Sequence, residues 1–249
     1  MPDFETSAGI GMDQIGNSDR SIPYLSILQS KSPEVEEGKP QYLENAVPGM
    51  IINTLTKELH EARLSKGKHL DVIPVGFMKR WVEWKPRSAG GGLVKVHDTD
   101  EIMAQTRKGG ERLNKDLLPN GNEVLFTHYW SVMLISSEGV GLPAILSFKS
   151  TALKHSRKWA SLLSMQFGKR SDGSKYLLPM FARKWKLSTF PEAKNNETWY
   201  SPSFVEGDFV TIPEFDDAKT LHQVVREMPA LPAPEERQAE EASETEVPY

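Results

Sequence analysis

The sequence predicts a mainly β protein. Antiparallel strands close into a small barrel, one helix lies between two of them, and long loops and unstructured ends surround the core. Three observations predict this. β-Branched and aromatic residues gather in short runs rather than at helical spacing. Two of these runs are joined by a hairpin signal. There is no strand–helix alternation of the doubly wound type and no internal repeat.

The elements follow in order. Residues 1–21 are rich in Gly, Ser and Asp without periodicity and read as a flexible arm. A short apolar run (Ile22, Tyr24, Leu25, Ile27, Leu28) then docks onto the core. Residues 29–48 are polar with three prolines, hence loop. Residues 50–55 are a β-type run, and residues 57–69 the tip of a turn or a short helix. Residues 71–85 are the most strand-like stretch, Val72-Ile73-Pro74-Val75-Gly76-Phe77 leading into Trp81-Val82-Glu83-Trp84. Pro74 and Gly76 mark a bend, a bulge or an edge. Residues 86–92 and 105–122 read as loops. Residues 124–136 and 139–148 are two strands joined near Ser137-Glu138-Gly139.

Ser150 reads as the N-cap of a helix over 151–167, closed by Gly168. One face of that helix carries Leu153, Ser156, Ala160, Leu163 and Phe167. Lys154, Arg157, Lys158 and Ser161 fall towards the other. Residues 176–187 and 198–205 are further strands, and 215–226 a short helix. The closest architecture is a five-stranded oligonucleotide-binding (OB) barrel with a helix interrupting the strand order, one domain over residues 22–228. From Pro229 the composition shifts. Residues 235–249 hold six Glu and one Arg and end on Val247-Pro248-Tyr249. Residues 229–249 are therefore expected to be a disordered acidic tail.

Composition excludes several classes. The 249 residues contain no cysteine, so disulfides, Fe–S clusters, Cys-ligated zinc and a thiol nucleophile are out. No apolar run approaches the roughly 18 residues of a membrane span. The polar, acidic N-terminus is not that of a signal peptide. A cytoplasmic location is the expectation.

The formal net charge of −4 conceals a strong asymmetry. Residues 1–65 hold 5 basic and 10 acidic residues, residues 66–194 hold 22 and 11, and residues 195–249 hold 3 and 13. Residues 149–186 carry 10 Lys and Arg against Asp172 alone. Folding brings such like charges together, which points to an anionic partner.

Aromatic residues are interleaved with these cations. Lys79-Arg80-Trp81 with Trp84-Lys85 and Arg87 is one group, Arg157-Lys158-Trp159 a second, and Arg183-Lys184-Trp185-Lys186 a third. Single-stranded nucleic acid needs both ingredients: cations for phosphates and aromatic faces for unpaired bases. Trp81, Trp84 and Trp185 are the expected stacking residues, while Trp159 reads as core. Lys149, Lys154, Lys169 and Arg170 extend the cationic set.

Catalytic patterns are weak. Asp71 followed by Glu83-x-Lys85 matches metal-dependent nucleases only if a turn separates the two carboxylates. One continuous strand would hold them roughly 40 Å apart. The six His lack close metal-ligand spacing. Residues 168–175 lack the Walker pattern, and no Gly-x-Ser-x-Gly elbow occurs. No enzyme activity, metal or cofactor is expected.

This layout, a basic aromatic-bearing β core and an acidic tail ending in an aromatic residue, resembles the single-stranded DNA-binding proteins of bacteriophages. Ile22-Pro23-Tyr24-Leu25, Asp71-Val72-Ile73-Pro74, Trp81-x-x-Trp84 and Gly90-Gly91-Gly92 also resemble stretches of uncharacterised phage proteins from replication gene clusters. The resemblance implies an OB barrel and sequence-independent binding of single-stranded DNA in phage replication, recombination and repair. It implies a tail that competes with DNA and recruits replication proteins such as a polymerase or helicase. Glu235, Glu236, Glu240, Glu241, Glu244, Glu246 and Tyr249 would take that role. Residues 1–65 and the long loops exceed a minimal barrel. A single-strand annealing protein and a phage inhibitor of a host nuclease are the alternatives, and a homo-oligomer is compatible with the sequence.

Overall fold

The structure is a computed structural model that describes residues 6, 10–12, 21–110, 115–136, 138–194 and 197–227. The expected acidic tail, and nearly all of the expected N-terminal arm, lie outside the described residues.

Strands β1 (Leu25–Ile27), β2 (Ile51–Asn53) and β3 (Leu59–His60) form a small antiparallel sheet. Then come β4 (Leu70–Trp84), β5 (Leu93–His97), β6 (Arg107–Gly109), β7 (Lys115–Leu117), β8 (Glu123–Ile135) and β9 (Gly141–Lys149). Helix α1 (Leu153–Ser164) leads into a separate hairpin, β10 (Phe167–Lys169) and β11 (Lys175–Leu177). Strands β12 (Arg183–Lys194) and β13 (Glu197–Phe209) precede helix α2 (Ile212–Glu227).

The two long strands β4 and β8 pair antiparallel from Val72 opposite Leu134 to Trp84 opposite Glu123. On its other edge β4 meets β12 near its start and β5 near its end. β8 carries β9 along residues 127–135 and touches β7 at Glu123. The main sheet therefore runs β13-β12-β4-β8-β7-β6, with β5 and β9 beside the central pair.

Residues 72–76 are all buried, with no alternation, because both faces of the sheet are covered. On one face Val72, Trp130, Leu146, Phe148 and Leu187 pack against Trp159 and Leu163 of α1 and Leu25 and Ile51 of the small sheet. On the other, Ile73, Val75 and Met133 meet Ala218 and Val225 of α2. Further along that second face Tyr24 packs with Val82, Leu93, Tyr129 and Ile145. The register of β4 shifts between Pro74 and Gly76. The Val75 carbonyl there accepts a hydrogen bond from His222 Nδ1 of α2 at 2.6 Å. A Cβ at Gly76 would stand 2.9 Å from Val225 Cγ1, so glycine lets α2 approach the bulge.

The mainly β class, the antiparallel pairing and the helix between strands are as the sequence predicts. The barrel is not: no pairing among the described residues joins β13 to β6 or β9, so the sheet stays open. A small barrel buries one face of each strand and wets the other. β4 and β8 are apolar on both faces and need a cover on each.

Other expectations shift. Ser150 is not the helix cap. It has φ of 51° in a short 3₁₀ turn, and the cap position of α1 is Ala152. The helix ends at Ser164, so Phe167 and Gly168 belong to β10. The strand expected over 176–187 is broken by Pro179 and the 3₁₀ turn Met180–Ala182.

Candidate nucleic-acid interface

The α1 side of the sheet carries a continuous row of rings. Within the core, Trp159 stacks on Phe204 at 3.9 Å and touches Trp130 at 4.4 Å. The row then leaves the core along the sheet: Trp130 to Phe77 at 4.6 Å, Phe77 to His128 at 5.0 Å, His128 to Phe126 at 4.9 Å, and Phe126 to Trp81 at 5.0 Å. Strand alternation builds it, since β4 offers Phe77, Lys79 and Trp81 opposite Trp130, His128 and Phe126 of β8. Phe77, Phe126 and Trp81 are half-buried, and Lys79 between them is exposed.

Helix α1 is pinned to this row by Ser156. Its buried hydroxyl accepts the Trp130 indole N–H at 2.7 Å and bonds His128 Nδ1 at 2.8 Å. The next residue, Arg157, is exposed at the edge of the row. Burial, helped by the positive charges of Arg157 and Lys79, lowers His128 to about 4, so its ring is neutral at neutral pH. The arrangement is a strip of flat apolar surface with a cation on each side, able to stack planar groups and hold an anion beside them.

The structure divides the other expected site residues. Lys79 and Arg80 point to opposite faces of β4, and Arg80 is paired with Asp98 at 2.9 Å. Trp84 lies on the Arg80 side, half-buried, with Lys149 Nζ 4.8 Å from its ring centroid. Lys85 is exposed just past β4, and Arg87 opens a 3₁₀ turn. Lys154 and Lys158 lie on the exposed side of α1. Lys169 and Arg170 sit in the β10–β11 hairpin, both exposed.

The group from Arg183 to Lys186 is largely structural. Trp185 is 0% exposed and packs edge-on against Trp159, so it has no free face for a base. The apolar inner side of β12 claims it. Arg183 pairs with Glu206 at 3.1 Å and lies over Phe209, and Lys184 pairs with Glu214 at 3.0 Å. Of this group only Lys186 is exposed. Trp159 is fully buried, as the sequence predicts.

Between α1 and β12–β13 lies a pocket of about 380 Å³, with Lys158, Phe190 and Glu192 in its wall. Burial would raise the Glu192 carboxyl, but hydrogen bonds from Lys154 (2.6 Å), Ser201 (2.6 Å) and His155 (3.2 Å) outweigh it and bring it to about 2. Glu83 is held in the same way. Burial opposes its ionisation, yet Asn122 at 2.6 Å, His97 at 3.1 Å and Asn120 keep it below the usual carboxylate value. Both carboxylates are engaged with their own chain. Asp71 and Glu83 stand near opposite ends of the single strand β4. Among the described residues no group of three or more His, Asp or Glu is placed to hold a metal, and no helix is long and apolar enough to cross a membrane.

Phe126 and His128 are absent from the sequence-predicted set. The signal was available: Val124, Phe126, His128 and Trp130 alternate along β8 and must share a face. The match to known families agrees with a phage origin. The sequence aligns over residues 1–230 with the family described as Pam3 phage gp34-like protein. The chain belongs to this bacteriophage protein family. No curated protein and no solved structure matches it. The family match spans both the ring row and the β10–β11 hairpin.

Proposed function

We propose that this phage protein is a non-enzymatic, sequence-independent single-stranded DNA-binding protein acting in phage replication, recombination and repair. The observation that carries the reading is the row Phe77–His128–Phe126–Trp81, in which Phe77, Phe126 and Trp81 are half-buried around the buried His128, with Lys79 and Arg157 exposed beside it. Unpaired bases stack on Trp81 and Phe126, phosphates follow Lys79, Arg157 and Lys158, and the buried, neutral His128 backs the row without adding a charge. Lys85, Lys149 with Trp84, Lys169, Arg170 and Lys186 extend the field. Arg80, Lys154, Arg183 and Lys184 already have acidic partners and contribute less. The Glu-rich tail from Glu235 to Tyr249 competes with DNA for this surface and recruits a polymerase or helicase.

The test is fluorescence anisotropy of a labelled oligo-dT of about 30 nucleotides. Trp81→Ala should weaken binding by about 5- to 150-fold, the span of one lost stacking contact of roughly 1–3 kcal/mol. Lys79→Ala with Arg157→Ala should flatten the salt dependence, since each phosphate contact contributes about 0.7 to the log–log slope on a single strand. Wild-type affinity in Trp81→Ala would remove the stacking role.

A further inference from the structure

The β10–β11 hairpin stands apart from the main sheet, and one of its faces has unusual chemistry. Its register places Phe167 opposite Leu177 and Lys169 opposite Lys175. Side chains two apart on a strand share a face, so both pairs lie on the same side. That face is open: Phe167 is 57% exposed, Leu177 55%, and both lysines are exposed. Met165, just before the hairpin, is 65% exposed.

Two like charges directly opposite across a ribbon repel and destabilise it. Among the described residues neither lysine has an acidic partner. Asp172, the one acid of the hairpin, is engaged in the turn, accepting the Ser174 amide at 2.8 Å. The opposite face is already satisfied. The Arg170 guanidinium lies 5.0 Å from the Tyr176 ring centroid, and Tyr176 lies over Gly168, where a Cβ would come within 2.5 Å of the ring. The Phe167 face offers an exposed ring beside two cations, and a ligand that fits it carries both an anion and a flat apolar group. A single-stranded nucleic acid offers both at every nucleotide.

The hairpin follows α1 directly, and Arg157 and Lys158 lie on the exposed side of that helix. Arg157 and Lys158 on the helix, and Lys169 and Lys175 beyond its end, are exposed cations on consecutive elements of the chain. We infer that the β10–β11 hairpin is a second contact for the same DNA strand, with Phe167 stacking on a base and the Lys169–Lys175 pair holding a phosphate. This rests on the single-stranded DNA reading above and extends its footprint beyond the sheet.

The test uses the full chain and anisotropy with labelled oligo-dT of about 30 nucleotides. Phe167→Ala and Lys169→Glu should each weaken binding by about fivefold or more. Ile212→Ala, another exposed apolar residue, should bind as wild type does. Thermal midpoints are measured beside the affinities. Phe167 and Lys169 are exposed, so Phe167→Ala should keep the wild-type midpoint and Lys169→Glu should keep or slightly raise it, because the exchange turns repulsion by Lys175 into attraction. Wild-type affinity in Phe167→Ala and Lys169→Glu, with loss in Trp81→Ala, would overturn the hairpin contact and leave the sheet site standing. That result would assign the hairpin to a protein partner. A wild-type protein that does not bind the oligonucleotide would overturn both.

Discussion

Ser156 holds together the two halves of the proposed interface, and Ser156→Ala tests that role. Its hydroxyl is fully buried and joins the Trp130 indole N–H to His128 Nδ1, at 2.7 and 2.8 Å. Alanine removes the oxygen and leaves both ring nitrogens without this partner inside the core. Each buried polar group left unpaired costs about 1–3 kcal/mol. The higher helix propensity of alanine returns less than about 0.7 kcal/mol. At about 2 kcal/mol for each nitrogen, less that return, the net loss should be about 3 kcal/mol, a large share of the roughly 5–15 kcal/mol that holds a typical domain folded. Urea and thermal unfolding followed by tryptophan fluorescence read it directly. The expected fall in midpoint is about 6–12 °C at roughly 2–4 °C per kcal/mol for a chain of this size. Ser161→Ala is the control, because that hydroxyl is exposed and bonds only the Arg157 carbonyl of its own helix. A loss below about 0.5 kcal/mol in Ser156→Ala would refute the reasoning, since α1 would then be held by apolar contact alone.

Other outcomes follow from the same geometry. His128 is lowered to about 4 from 6.5. Its contribution is complete above pH 6.5 and is lost as pH falls towards 4, by about 3 kcal/mol at 1.36 kcal/mol per unit; His128→Gln should flatten stability across that window in urea titrations. Glu192 is lowered to about 2 from 4.5. Its stabilisation is present above pH 4.5 and fades as pH falls to 2, and Glu192→Gln should remove this acid limb of the unfolding curve. Gly76→Ala should destabilise by about 1–3 kcal/mol, because the added Cβ meets Val225 of α2 at 2.9 Å; an unchanged midpoint would show that α2 shifts freely. Removing residues 231–249 should tighten oligo-dT binding, most at low salt. Unchanged or weaker binding would refute tail competition.

Much of the fold is legible in the sequence where a signal is local. The run of β-branched and aromatic residues that becomes β4, the bulge marked by Pro74 and Gly76, and the β8–β9 hairpin all follow from residue type and spacing. Helix α2 carries a readable start as well: Thr211-Ile212-Pro213-Glu214 forms a capping box, with Glu214 accepting the Thr211 amide at 2.7 Å. What was hidden depends on long-range pairing. Ser188, Thr189, Pro191 and Glu192 look like loop, yet β12 runs to Lys194 because β13 pairs with it residue by residue. Barrel closure was the expected answer to exposed strand edges, but covers on both faces of the sheet decide the architecture. For the site, proximity in sequence misleads on a strand. Lys79-Arg80-Trp81 divides between two faces, and Trp185 is drawn into the core by the apolar side of β12. Phe126 and His128 gain their role only through the register that sets them beside Trp81 and Lys79.

The central claim is that bases stack on a ring row between cations. It is tested most directly by titrating intrinsic tryptophan fluorescence with unlabelled oligo-dT of about 30 nucleotides at low and high salt. The account predicts strong quenching that weakens steeply with salt and is reduced in Trp81→Ala, since Trp130, Trp159 and Trp185 are sealed in the core and only Trp81, Trp84 and Trp199 are partly exposed. Absence of quenching and of binding at low salt would contradict it, and would assign the basic surface to a protein partner.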